Sequence, residues 1–143
     1  MKDAAPQTIH LKDYAPYGYL IDGVELTFHL APSATRVQSR IAFRPNPDAT
    51  DRRFFLHGEG LRLIRAAIDG AEVTPRHVAG GIECDAPDGP VTWEAEVEID
   101  PSANTALEGL YMSSGMYSTQ CEAEGFRKIT YYPDRPDVMA VFT

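Results

Sequence analysis

Val91-Thr92-Trp93-Glu94-Ala95-Glu96-Val97-Glu98-Ile99 is the stretch that decides the fold. Val91, Trp93, Ala95, Val97 and Ile99 alternate with Thr92, Glu94, Glu96 and Glu98. Successive side chains of an extended backbone point to opposite faces, so this is a strand with one face toward a core and one toward water. Residues 24–30 repeat the pattern, with Val24, Leu26, Phe28 and Leu30 set against Glu25, Thr27 and His29. Over residues 36–44, Val37, Ile41 and Phe43 share a face with Ser39, while Arg36, Gln38, Arg40 and Arg44 lie opposite. The pattern predicts further strands over residues 53–57, 61–68, 82–85 and 116–122, and residues 138–143 read as the start of another.

Punctuation between these runs supports the same architecture. Asp69-Gly70 is a hairpin signal, since an Asp-Gly pair tolerates the positive φ of a tight turn. Asp22-Gly23 and Asp88-Gly89 also read as turns, and Pro45, Pro47, Pro75, Pro87 and Pro90 fall between runs, where a missing ladder donor does no harm. No segment carries a long helical stripe; residues 103–107 and 123–129 allow only short helical turns. The expected fold is all-β: an antiparallel β-sandwich or saddle-like curved sheet with short helical turns.

The 143 residues fit one domain, 1–143, large enough to bury a core. A net charge of −8 repels phosphate, which argues against nucleic acid and anionic membrane surfaces as partners. No apolar run approaches transmembrane length, and Met1-Lys2-Asp3-Ala4-Ala5-Pro6-Gln7 lacks the apolar centre of a secretory signal, so a cytoplasmic protein is expected. Cys84 and Cys121 are in no metal-type spacing and are read as reduced thiols. The apolar ending at Thr143 reads as a chain cut from something longer.

The four histidines, His10, His29, His57 and His77, form no His-Glu-x-x-His pair and read as surface or turn residues. Nor is there a Gly-x-Ser-x-Gly elbow, a phosphate loop or a dinucleotide fingerprint. Glu94, Glu96 and Glu98 project from one strand face at intervals of roughly 7 Å. Calcium could use such a row, but no loop supplies the other ligands, and a solvated sheet face matched by the Arg36, Arg40 and Arg44 row is the simpler reading. The seven tyrosines pack a core edge or an inter-domain contact more readily than they stack on a ligand. Gln120 and Glu122 share one face of an extended segment while Cys121 points to the other. A carboxylate beside an amide oxygen makes a cradle for an ammonium group, although the spacing alone equally describes a polar strand face.

Neighbouring residues sharpen that choice. Asn104-Thr105-Ala106-Leu107-Glu108-Gly109-Leu110-Tyr111 leads into Thr119-Gln120-Cys121-Glu122-Ala123-Glu124-Gly125-Phe126-Arg127, followed by Ile129-Thr130-Tyr131-Tyr132-Pro133-Asp134-Arg135-Pro136-Asp137-Val138. This ordered set resembles the amino-terminal β-domain of the bacterial aminopeptidase N family of zinc exopeptidases, gluzincins that remove single residues from free peptide N-termini. Lys12-Asp13-Tyr14 and Tyr19-Leu20-Ile21-Asp22 extend the likeness, which runs from residue 9 to residue 143 and is most specific over 107–137.

The resemblance implies a metalloprotease in which this domain supplies the strand that binds the substrate α-amine and borders the first side-chain pocket. By motif match Gln120 and Glu122 are the substrate-binding pair; Glu124 falls outside it. It also implies a zinc cofactor whose His-Glu-x-x-His ligands, later Glu and Gly-x-Met-Glu-Asn loop lie in a catalytic domain outside this chain. The fragment is then expected to be inactive alone, with peptide N-termini and that catalytic domain as partners and self-association through the uncovered face. The competing expectation is a free-standing β-sandwich module binding peptide, protein or carbohydrate; an independent small hydrolase is a third.

Overall fold

The computed structural model describes residues 7–143; the reading of residues 1–6 as lacking a secretory signal lies outside them. Ten strands follow in chain order: β1 (Tyr19–His29), β2 (Thr35–Pro45), β3 (Phe54–His57), β4 (Arg62–Ile68), β5 (Ala71–Glu72), β6 (Arg76–Val78), β7 (Gly81–Cys84), β8 (Val91–Ile99), β9 (Gly109–Ser113) and β10 (Met116–Gln120). They form a five-stranded sheet ordered β1-β2-β8-β4-β5, a three-stranded sheet β3-β7-β6 and the hairpin β9-β10, every strand pair antiparallel. Among the described residues helical structure is confined to two 3₁₀ turns, Leu11–Asp13 and Phe126–Lys128. Among the described residues no helix is long and apolar enough to cross a membrane.

Strand β8 sits at the centre of the large sheet and alternates buried and half-buried along its whole length, as its sequence requires. Trp93, Val97, Ile41 and Val37 are fully enclosed. The small sheet closes over them through Phe54, whose ring meets Phe43 edge-on at 5.1 Å and Tyr19 at 5.3 Å, and lies 6.0 Å from Trp93. Edge-to-face contacts of this kind add to the area term for burying large rings, which is why aromatic side chains dominate the seam.

On the opposite face of the large sheet, the acidic and basic rows lie side by side. The β2–β8 register sets Arg36 against Glu98 and Arg40 against Glu94. Arg36 donates to Glu98 at 2.8 Å and to Glu96 at 2.9 Å, and Arg62 on β4 reaches Glu98 at 2.6 Å. Arg40 pairs with Glu25 and Arg44 with Asp22.

Three sequence expectations change. Asp22-Gly23 is no turn: β1 runs through it, and the pairing with β2 shifts between Ile21 and Gly23, a bulge that absorbs Asp22. A glycine inside a strand marks such irregularities as readily as it marks turns. Strand β10 ends at Gln120, two residues before the expected limit, because its partner Gly109 is the first residue of β9. Residues 138–143 form no strand of their own: a single parallel bridge joins Phe142 to Val24 on the β1 edge, where the Val24 N–H donates to the Val141 carbonyl at 2.9 Å and the Thr143 N–H to the Val24 carbonyl at 2.8 Å. Cys84 and Cys121 are free thiols.

Candidate functional site

The hairpin β9-β10 turns at Ser114-Gly115, both with positive φ, and returns to end on the Gln120–Gly109 rung. Cys121 leaves the ladder, and residues 122–125 form a turn that runs straight into the Phe126–Lys128 3₁₀ helix. The turn is closed by the Gly125 N–H donating to the Cys121 carbonyl at 2.9 Å, and its Glu122–Ala123 peptide bond is cis. Gly125 is there for lack of space: a Cβ on it would stand 2.3 Å from the Gln120 carbonyl oxygen and 2.9 Å from the Cys121 Cα.

Gln120 and Glu122 are both exposed, with Cys121 half-buried between them. The two site residues touch through an unexpected contact: Gln120 Nε2 donates to the Glu122 main-chain carbonyl at 3.3 Å. That bond occupies the donor end of the amide and leaves Oε1 to accept. Among the described residues the Glu122 carboxylate has neither a hydrogen-bond nor an ion-pair partner, whereas Glu124 lies 3.8 Å from the Arg127 guanidinium. Two acceptors thus stand free on one ledge, not on one extended strand face as the sequence suggested: Gln120 closes β10, and Glu122 opens the turn beyond it. Hollows elsewhere on the surface, such as that among Glu25, Arg40, Arg65 and Glu94, do not include them. The ledge is open and would need a second body to wall a guest.

Behind the ledge lies a network that sequence reasoning missed. Asp134 Oδ2 accepts from the Arg127 main-chain N–H at 3.1 Å and from its Nε at 3.0 Å, while Arg127 Nη2 donates to the Asp134 carbonyl at 3.1 Å. The Asp134 N–H donates to His57 Nδ1 at 3.1 Å. His57 is therefore no surface histidine but the half-buried end of β3, exchanging main-chain bonds with Tyr132 at 2.9 and 3.1 Å. Burial first, then the Arg127 charge, hold its imidazole below the usual range, which suits a ring nitrogen that must accept. Arg127 and Asp134 stand seven positions apart with no continuous helix between them, so only the chain's return path could have disclosed the pair. His10, His29 and His77 are exposed as expected.

Chemically, the ledge can hold a cation. Burial pushes the Cys121 thiol upward, away from the thiolate a nucleophile needs. Among the described residues no three of His, Cys, Asp and Glu are grouped to hold a metal, so these side chains do not fit a zinc site.

No protein-family model matches the chain. It is 44% identical, along its full length, to aminopeptidase N of Caulobacter vibrioides, of which it covers 17%. To aminopeptidase N of Escherichia coli it is 41% identical over 96% of its length, covering 16% of that protein. The chain therefore spans about a sixth of the length of the curated relatives it matches. Among solved structures, Legionella pneumophila aminopeptidase A, crystallised with aspartic acid, superposes with a TM-score of 0.81 at 26% identity, over 92% of this chain and 16% of that one. An M1 zinc metallopeptidase from Deinococcus radiodurans shares the fold, with a TM-score of 0.72 at 17% identity over 90% of this chain and 32% of that one.

Proposed function

From its homology with aminopeptidase N, which runs the length of the chain, we propose that these residues form the amino-terminal β-domain of a zinc-dependent aminopeptidase, a hydrolase acting on peptide N-termini. In this reading Gln120 and Glu122 hold the substrate's free α-amine and border the pocket for its first side chain. The domain is not catalytic alone. Zinc and its ligands belong to a partner domain outside this chain, and no step of the chemistry is assigned to the residues here. The observation that carries the reading is the pair of unpartnered acceptors on a ledge whose sequence lies within that homology.

A peptide α-amine has a pKa of about 8 and is mostly an ammonium ion at neutral pH. Glu122 supplies charge and Gln120 Oε1 a second acceptor. A charge-assisted hydrogen bond contributes ~1.5–3 kcal/mol. An internal peptide nitrogen carries no charge and would leave the carboxylate unpaired, so the same contact selects free N-termini over internal bonds. Holding the amine also fixes the scissile carbonyl one residue away, in a single orientation toward the catalytic lobe. Binding of aspartic acid, which carries a free α-amine, by the Legionella relative accords with this chemistry.

The test is steady-state kinetics of the whole protein. Glu122→Ala should lower kcat/KM by about tenfold to a hundredfold, matching the loss of one charged hydrogen bond. Gln120→Ala should cost less, because it removes a neutral acceptor. Native kinetics in Glu122→Ala would remove the amine-anchor assignment.

A further inference from the structure

Amine binding by itself does not require the ion pair that anchors the turn carrying Glu122. Arg127 and Asp134 are both largely enclosed, with side-chain exposures of 14% and 12%. Arg127 gives its main-chain N–H, Nε and Nη2 to Asp134, and its own carbonyl accepts from the Glu59 N–H at 3.0 Å. Asp134 is held in turn by His57, on the small sheet. A buried ion pair is a weak source of net stability, because desolvation offsets much of the attraction; a fixed geometry is what such a pair does supply. The segment it fixes is the 3₁₀ turn that follows residues 122–125 without a break.

We propose that the Arg127–Asp134 pair is a positioning clamp for the amine site: it pins the end of the turn so that the Glu122 carboxylate and Gln120 Oε1 converge on one ammonium group. The inference rests on the amine-binding reading above. The clamp also sorts the two nearby carboxylates. Glu124 Oε1 stands 3.8 Å from Arg127 Nη2 and is engaged by the clamp, while Glu122 is left without a partner among the described residues. In a chain of net charge −8, a guanidinium turned inward on Asp134 does not compete with the guest for Glu122.

The experiment is a double-mutant cycle in the whole protein. Arg127→Gln and Asp134→Asn are each measured alone and combined with Glu122→Ala, using an aminoacyl reporter with a free α-amine, with melting curves for every variant. Each clamp variant should lower kcat/KM by about fivefold to twentyfold in the native background. With Glu122 already replaced, the further loss should be under about twofold, because no carboxylate remains to be misplaced. Equal losses in both backgrounds would mean a merely structural pair and overturn the clamp. Native kinetics in both clamp variants, with Glu122→Ala impaired, would overturn the clamp alone. Native kinetics in Glu122→Ala would overturn the amine reading and the clamp with it. Should Arg127→Gln not fold, Asp134→Asn keeps the shape and one acceptor and completes the same cycle.

Discussion

Gly125 packs so closely on the end of β10 that a single methyl group would strike main-chain atoms of Gln120 and Cys121. Backbone cannot rotate aside as a flexible side chain can, so Gly125→Ala should destabilise the domain by about 1–3 kcal/mol, the usual range for overpacking. Urea unfolding measures this, and an unchanged midpoint would show that the turn can yield. His57 makes a second, pH-dependent claim. Burial and the Arg127 charge lower its folded value, so the unfolded chain binds more protons there than the folded one. The stability contributed by the neutral ring is complete above about pH 6.5, the unfolded value, and is lost as pH falls through the lowered folded value. A His57→Asn variant keeps an acceptor without a titrating ring and should show a flatter stability profile below pH 6.5. Parallel profiles for the two proteins would contradict the assignment.

Among the elements, β8 was legible to the residue, because strict period-two alternation coincides with a central strand whose inner face is fully enclosed. Trp93→Ala should cost about 3–5 kcal/mol, as it empties the seam against Phe54. The outer-face charges are a weaker device. Arg62 and then Arg36 hold the Glu98 carboxyl below the usual carboxylate range, yet the network borders solvent. Arg36→Ala should therefore change stability little, and less still at high salt; a large fall in the chemical-denaturation midpoint would contradict this. Strands β5, β6 and β9 escaped sequence reading for definite reasons. The first two are too short to show a period, and β9 carries Leu110, Tyr111 and Met112 in succession, with no alternation to detect. Asp22-Gly23 carried turn residues into a strand that its pairing with β2 keeps continuous.

For the molecule as a whole, the sandwich could be read from residues alone, whereas the site could not. Nothing in the spacing of Gln120 and Glu122 distinguishes an ammonium cradle from a polar strand face; only the resemblance carried by the ordered set of neighbours favours the first, and the Arg127–Asp134 contact depends on a fold-back that no local pattern encodes. Met139, Val141 and Phe142 are 82%, 74% and 48% exposed, an apolar strip beside the β1 edge. The isolated chain should self-associate through such surface, since interfaces between domains of one chain cover about 600–1,500 Å². Sedimentation at several concentrations reads this, and a concentration-independent monomer would contradict it. The purified chain with an aminoacyl reporter and added zinc should give no turnover; clear turnover would overturn its standing as part of a larger site. The most direct measurement is a crystal structure of the whole protein with a free amino acid bound. The ammonium nitrogen should lie within about 2.7–3.2 Å of both Gln120 Oε1 and a Glu122 carboxylate oxygen. An ammonium group held by other residues, with Glu122 still turned to solvent, would contradict it.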